Sequence, residues 1–281
     1  MPAPSGPVIS VTSRLAYLGL CGAAIAALWS SNAQASILLI DDQAGFGMTG
    51  NILRLEGHDV TVRNREFANG YANLLDLAFL TSFNLVIYAE RGEMGRGSRL
   101  PESVAMNLET YIQLGGNLLV TGFNTLGNPN DATLANLVRS STFRDQASRN
   151  PDWQTTAIDN FILNGPYGDF RDLTFTATGY NDDFLLPDTA RGAITLANTP
   201  GESARIIFTD LPGAGGSVGY WNGGLGGQMS NAQPDFRSGG IPQGIFLNWA
   251  SVSPIPEPTA ALYAVACLAV FGGSRRARRS S

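Results

Sequence analysis

The chain has no lysine, one histidine and two cysteines among its 281 residues. The absence of lysine excludes Schiff-base catalysis and a phosphate-binding P-loop, because both depend on a lysine amine. The two cysteines, Cys21 and Cys267, leave no thiol in the long segment between them, residues 36–253. This segment therefore has no disulfide, no thiolate nucleophile and no cysteine-based zinc site.

Basic charge is also scarce in residues 36–253. The segment contains 13 arginines against 22 acidic residues, so its formal charge is about −9. Nucleic-acid binding depends on basic patches that neutralise phosphates, and this segment has no basic run. The sequence therefore predicts no nucleic-acid partner. Its length suits one α/β domain with a substantial core.

The first 35 residues have the three parts of a secretory signal peptide. Arg14 precedes an apolar run over residues 15–29, and a polar stretch leads to the small-residue triplet Ala33-Gln34-Ala35. This order predicts export through the Sec machinery and removal of the segment by cleavage after Ala35. An uncleaved anchor helix is the alternative interpretation.

Residues 254–281 combine a short motif, a short apolar run and a basic cluster. The motif is Pro256-Glu257-Pro258, and the apolar run covers residues 259–273; the basic cluster consists of Arg275, Arg276, Arg278 and Arg279. As a helix the apolar run would be about 22 Å long, against roughly 30 Å for the hydrocarbon core. It would hold the membrane weakly, with the arginines on the cytoplasmic side and the preceding domain outside. An ordinary C-terminal anchor is the alternative.

The order and spacing of these parts resemble the PEP-CTERM sorting tail, by which Gram-negative bacteria hand exported proteins to an exosortase. The resemblance implies that Pro256-Glu257-Pro258 is the recognition and processing motif, with cleavage nearby by the sorting enzyme. It implies an inner-membrane anchor with the domain in the periplasm, and release to the cell surface or medium after processing. It also implies a link to exopolysaccharide or biofilm matrix.

Between these ends the hydrophobic pattern alternates between strands and helices. Apolar runs predict strands at residues 37–40, 60–62, 85–88 and 118–120, with helices between them. The later half predicts a helix over residues 131–139, strands at 173–177, 193–196, 204–208 and 218–221, and a helix over 243–250. Alternation of this kind predicts an α/β fold with a doubly wound, mostly parallel sheet.

One segment carries a family resemblance for this domain. Residues 108–122, LETYIQLGGNLLVTG, are similar to the helix, Gly-Gly turn and strand of class I glutamine amidotransferase-like, flavodoxin-like domains. Active members of that family carry a cysteine in the turn after the fourth strand and pair it with a histidine. Here that turn reads Thr121-Gly122-Phe123-Asn124, and the single histidine, His58, precedes the second strand. Thiol-based amidotransferase chemistry is therefore excluded, and His58 is predicted to be a surface residue.

Oxygen-bearing side chains follow three of the predicted strands. Asp41 and Asp42 follow the first strand, Glu90 the third and Asn124 the fourth. In a doubly wound sheet these carboxyl ends share one edge, where ligands bind. The set predicts a site for a hard divalent cation such as Ca²⁺ or Mg²⁺ as the one candidate cofactor. The alternative is that the aspartates cap the following loop and that Glu90 pairs with a nearby arginine.

The glycine-rich segment 213–227 contains Tyr220 and Trp221. We interpret it as a strand with glycine-rich flanks and with Trp221 packed inward; the alternative is an exposed aromatic pair that stacks on a sugar.

Two functions of different class follow from these observations. The first is an exported, non-catalytic binding or structural module, since the domain lacks cysteine, lysine and a suitably placed histidine. The second is an extracytoplasmic hydrolase that uses Asp41, Asp42 and Glu90 as acid, base or metal ligands.

Overall fold

The computed structural model describes residues 35–41, 48–63, 75–89, 101–121, 132–144, 148–149, 152–176, 180–181, 184–199, 204–211, 216–222 and 240–251. The chain divides into two units, Met1–Gln34 and Ala35–Ser281, and all of these residues belong to the second. Within them no helix is long and apolar enough to cross a bilayer. The predicted signal peptide up to residue 34 and the predicted tail, residues 254–281, lie outside the described residues.

The domain contains five helices and fifteen strands within the described residues. The helices are α1 Met48–Leu55, α2 Leu77–Leu80, α3 Glu102–Gln113, α4 Ala132–Leu137 and α5 Ile241–Ala250, with a 3-10 turn at Thr189–Arg191. The strands are β1 Ser36–Asp41, β2 Asp59–Arg63, β3 Leu85–Ala89, β4 Asn117–Thr121, β5 Ser140–Arg144, β6 Ser148–Arg149, β7 Asp152–Thr155, β8 Asn164–Gly165, β9 Gly168–Asp169, β10 Thr174–Thr176, β11 Tyr180–Asn181, β12 Phe184–Pro187, β13 Ile194–Asn198, β14 Ala204–Asp210 and β15 Ser217–Trp221.

A mixed central sheet organises these elements. Its strand order is β10-β7-β13-β14-β15-β4-β3-β1-β2, and β12 joins it through β14 and carries β5. The strands from β15 to β2 pair in parallel, whereas those from β10 to β15 pair antiparallel. The predicted α/β fold with a doubly wound, mostly parallel central sheet is confirmed, and an antiparallel wing extends it on one side.

The inner parallel strands β1, β3 and β4 are largely apolar because helices cover both of their faces, whereas the edge strand β2 is mostly exposed. On one face Ile37 and Leu39 of β1 pack in a cluster that includes Leu53 of α1 and much of α5. On the opposite face Leu38 of β1 packs in a second cluster that includes Leu108 of α3. A strand covered on both sides is apolar at its central positions, and this explains why the first, third and fourth strands were visible in the sequence.

A polar network closes the amino edge of the parallel strands. The backbone N–H of Ser36 donates to Asn84 Oδ1 at 2.8 Å, and Asn117 Nδ2 donates to the Asn84 carbonyl at 2.9 Å. Ser217 Oγ donates to Asn117 Oδ1 at 2.7 Å, and the buried Tyr111 hydroxyl accepts from the Asn117 N–H at 3.2 Å. Burial raises the pKa of the Tyr111 phenol, so it stays neutral. These bonds hold β1, β3, β4 and β15 in register.

An ion pair connects α3 to the turn between α4 and β5. Arg139 has a left-handed backbone, with φ of 56°, and its side chain is 7% exposed. Its guanidinium donates to both carboxylate oxygens of Glu109, at 2.9 and 2.7 Å. Burial alone would raise the pKa of Glu109, but the hydrogen bond and positive charge of Arg139 outweigh it and lower the pKa.

Candidate functional site

The chain reverses its direction of progress across the sheet between β1 and β3. From β1 it moves to β2 at one edge, with α1 on one face of the sheet; from β3 it moves to β4 in the other direction, with α3 on the other face. Sheets of this order leave a crevice at the carboxyl ends of the two strands that flank the reversal, because the connections leave them on opposite faces. The β1/β3 carboxyl edge is therefore the expected ligand-binding position of this fold.

The predicted carboxylate site borders this position. Asp41 is the last residue of β1, and its register partner is Ala89, the last residue of β3. Asp42 and Glu90 are the next residues in the sequence after that pair, and both lie outside the described residues, as does Asn124. Only the backbone of Asp41 is described, so the cation site stays a prediction. Among the described residues there is no group of three or more His, Cys, Asp or Glu that could hold a metal ion.

A buried threonine and two tryptophans occupy the same edge further along the sheet. Thr121 is the last residue of β4 and pairs in register with Trp221 of β15. Thr121 is fully buried, and its hydroxyl has no hydrogen-bond partner among the residues that the structure describes. The rings of Trp221 and Trp153 lie 5.3 Å apart. At the carboxyl end of β4 this chain therefore has a buried hydroxyl beside an aromatic cluster.

The predicted inward packing of Trp221 is confirmed. Trp221 is 3% exposed and Tyr220 is fully buried. The alternative of an exposed aromatic pair that stacks on a sugar is therefore wrong, because neither ring faces solvent.

Sequence reasoning missed a buried arginine at this edge. Arg205 of β14 is fully buried, and its Nε donates to Thr199 Oγ1 at 2.7 Å, while Nη1 donates to Asn222 Oδ1 at 3.3 Å. The backbone N–H of Asn222 donates back to the Arg205 carbonyl at 2.8 Å. Arg205 thus connects the residue after β13 to the residue after β15. The signal in the sequence was a single charge inside the otherwise apolar run of residues 204–208.

His58 lies at the opposite edge of the sheet, as predicted. It directly precedes β2, whose five residues span roughly 13 Å between the two edges. The prediction of a surface side chain is only partly right, because His58 is half-buried and neither ring nitrogen is exposed or hydrogen-bonded. This burial lowers the pKa of His58, and the nearby charge of Glu56 opposes the shift only in part. A neutral imidazole at this edge is not placed to serve the β1/β3 crevice.

The predicted processing sites fall mostly outside the described residues. This holds for Ala33 at the signal cleavage site and for the sorting motif Pro256-Glu257-Pro258, and also for the basic cluster Arg275, Arg276, Arg278 and Arg279. Ala35 is described: it precedes β1 and is fully buried. The sorting assignments therefore stay predictions.

Neither the protein-family models nor the curated proteins match this sequence. Among solved structures, a cytoplasmic protein from Salmonella typhimurium matches with a TM-score of 0.53 and 11% identity, covering 78% of this chain and 98% of its own. A ThuA-like protein from Parabacteroides merdae matches with a TM-score of 0.51 and 14% identity, covering 80% and 94%. A glutamine amidotransferase from Thermotoga maritima is a looser match, with a TM-score of 0.45 and 13% identity over 66% and 74%. At these identities the likeness is one of fold alone, and the chain shares its α/β fold with the Salmonella protein and the ThuA-like protein.

Proposed function

We propose that this chain is an exported protein whose C-terminal tail is processed by an exosortase-type enzyme, and that its α/β domain is a non-catalytic binding or structural module of the extracellular polysaccharide matrix. One observation carries the proposal: the order of Pro256-Glu257-Pro258, a short apolar run and four arginines at one end of a chain whose other end has the parts of a signal peptide. A helix of about 22 Å is a poor permanent anchor, which suits a segment that is removed.

The chemistry of the domain supports a binding role over thiol catalysis. The turn that would carry a nucleophilic cysteine reads Thr121-Gly122-Phe123-Asn124, and residues 36–253 contain no cysteine. The single histidine, His58, lies at the edge opposite the β1/β3 crevice. Within the described residues no base is hydrogen-bonded to the Thr121 hydroxyl, and an unactivated hydroxyl is a weak nucleophile.

Processing of the tail is testable in a Gram-negative host that carries an exosortase. Mass spectrometry of the wild-type protein from separated membrane, periplasmic and medium fractions should find chains that end near Pro256-Glu257-Pro258. Replacing all three residues by alanine should keep the tail attached and hold the protein in the inner membrane. Ser253→Ala, just upstream, is the matched control and should be processed normally. Normal processing of the triple variant would refute the sorting assignment.

The matrix association is tested separately on the mature protein. Matrix polysaccharide from the same host, sedimented with purified protein, should carry the protein into the pellet, whereas an unrelated glucan should not. If the protein stays in the supernatant with every matrix fraction, the matrix role is wrong even where the sorting assignment holds.

The position of Asp41 favours a second candidate function, a metal-dependent hydrolase. Asp41 closes β1 at the reversal of strand order, and Asp42 and Glu90 directly follow the paired ends of β1 and β3 in the sequence. A cation bound there would stabilise the fold by about 2.7 kcal/mol at a concentration of 100 times its dissociation constant. Thermal unfolding with Ca²⁺ or Mg²⁺, compared with a chelator, should show that shift in the wild type and lose it in Asp42→Asn. Asp59→Asn, an exposed carboxylate at the opposite edge, is the control. Equal midpoints with cation and chelator in the wild type would exclude the site.

A further inference from the structure

Ala35 is part of the folded domain. It belongs to the unit Ala35–Ser281, and its side chain is fully buried in the same core cluster as Ile37 and Val60. Its carbonyl accepts a hydrogen bond of 3.2 Å from the N–H of Asp59, the first residue of β2. The pairing of β1 with β2 therefore begins one residue before β1 itself.

Cleavage between Ala35 and Ser36 would damage this edge in two ways. It would remove the carbonyl that Asp59 uses and the methyl group that fills the core beside β1. It would also turn the backbone N–H of Ser36, which donates to Asn84 Oδ1 at 2.8 Å, into a charged ammonium group. Ser36 is only partly exposed, so this charge would lose part of its hydration when the domain folds.

The sequence contains a second small-residue triplet, and cleavage after it would avoid both kinds of damage. Ser31-Asn32-Ala33 has small residues at its first and third positions, as Ala33-Gln34-Ala35 does. Both bonds are open to the peptidase in an unfolded chain during export, so the pattern of small residues alone does not choose between them. A cut after Ala33 leaves Ala35 in place, with only Gln34 ahead of it.

We propose that the signal peptidase cuts after Ala33 and that the mature protein begins at Gln34. This proposal rests on the export assigned above and moves the expected cleavage by two residues. A new N-terminal glutamine also cyclises: its α-amino nitrogen forms a bond to the side-chain amide carbon, the bond from that carbon to the amide nitrogen breaks, and ammonia leaves. The mature N-terminus is then Gln34 or its cyclic form, and the latter carries no charge close to the core.

The N-terminus of the full-length protein, expressed with both native ends in a Gram-negative host, tests the proposal. Mass spectrometry of the N-terminal peptide should find Gln34, or the same peptide lighter by one ammonia. A chain that begins at Ser36 would overturn the proposal and leave export intact. A chain that still begins at Met1 would overturn export and the proposal together.

A pair of variants separates the two triplets without changing the folded domain. Ser31→Arg places a large charged residue at the first position of Ser31-Asn32-Ala33 and leaves Ala33-Gln34-Ala35 unchanged. It should make the precursor accumulate or shift the cut to the bond after Ala35. Ser30→Arg, which lies outside both triplets, is the matched control and should be processed like the wild type. If Ser31→Arg gives the wild-type N-terminus at the wild-type rate, the proposal is wrong.

Protein that is cut after Ala35 would supply a second test of the proposed cleavage after Ala33. If Ser31→Arg yields protein that begins at Ser36, its thermal midpoint should lie several degrees below that of protein beginning at Gln34. The two forms differ in Gln34, Ala35 and the charge on the Ser36 nitrogen, so the shift reports the lost contacts of Ala35 together with that charge. Equal midpoints would show that the domain does not need Ala35 and would remove the structural basis of the proposal.

Discussion

Asn248 connects the last helix to the irregular segment between β7 and β10. The side chain is fully buried in α5, and its Nδ2 donates to the carbonyls of Ile162 and Gly168, both at 3.1 Å. Its Oδ1 accepts from the backbone N–H of Tyr167 at 2.8 Å. One side-chain amide thus bonds to three backbone groups within residues 162–168. We expect it to be among the most sensitive polar positions of the domain.

Asn248→Leu keeps the volume of the side chain and removes all three hydrogen bonds. A buried polar group without a partner costs about 1–3 kcal/mol. The Ile162 carbonyl belongs to a fully buried residue and bears this cost in full, whereas Tyr167 and Gly168 are partly exposed and can recover part of their bonding to water. The expected loss is about 3 kcal/mol in the free energy of unfolding, a large share of the 5–15 kcal/mol typical of a domain.

Urea unfolding followed by tryptophan fluorescence measures this loss, and hydrogen exchange locates it. The Tyr167 amide should exchange much faster in Asn248→Leu than in the wild type, because it has lost its acceptor. Asn51→Leu, the same change at an exposed position of α1, is the matched control and should change stability by less than about 0.5 kcal/mol. A loss below about 1 kcal/mol in Asn248→Leu, or one equal to the control, would refute the reasoning.

Three further predictions concern a close contact and two titrating groups. A Cβ at Gly219 would lie 2.1 Å from the Trp249 ring, so Gly219→Ala should lower the free energy of unfolding by about 2–3 kcal/mol in urea titrations. His58 has a folded pKa below its ordinary value of 6.5, so the unfolded chain binds the proton first. Stability should therefore fall as the pH drops below about 6.5, and His58→Gln should flatten this dependence. Glu109→Gln weakens the ion pair with the largely buried Arg139 and should cost about 1–2 kcal/mol at neutral pH. Because the folded pKa of Glu109 is lowered, this cost should vanish as the pH falls through that pKa, below the ordinary value of 4.5. An unchanged unfolding midpoint in Gly219→Ala would contradict the close contact with Trp249. A dependence of stability on pH that His58→Gln leaves unaltered would contradict the lowered pKa of His58. A cost of Glu109→Gln that persists in acid would contradict the ion pair with Arg139.

The elements that sequence reasoning located are those with a strong local pattern. The run at residues 37–40 became β1 Ser36–Asp41, and the helix that we expected between the strands at 85–88 and 118–120 is α3 Glu102–Gln113. The short strand β7 Asp152–Thr155 was missed because two of its four residues are polar and exposed. What makes it a strand is distant in sequence: it pairs with β10 and β13, and its Trp153 reaches Trp221.

The candidate site was predictable only in part. The apolar runs alone were enough to predict that Asp41, Asp42 and Glu90 follow the ends of strands. Only the strand order of the sheet shows that β1 and β3 are neighbours and that the order reverses between them. Arg205 and Thr121 were missed because their burial depends on partners far away in the chain, and no short pattern reports such partners.

The amino-acid sequence by itself determined which side-chain chemistry is absent from residues 36–253, and it predicts the sorting signals at both ends. Residue types exclude a thiol from residues 36–253 and a lysine amine from the whole chain, and short runs such as Pro256-Glu257-Pro258 are contiguous in the chain. Tertiary structure alone decided which strand ends meet at the crevice, that Tyr220 is buried as well as Trp221, and that Ala35 belongs to the core. The physical reason is range: periodicity and composition act over a few residues, whereas strand order and burial depend on contacts between residues that are far apart in sequence.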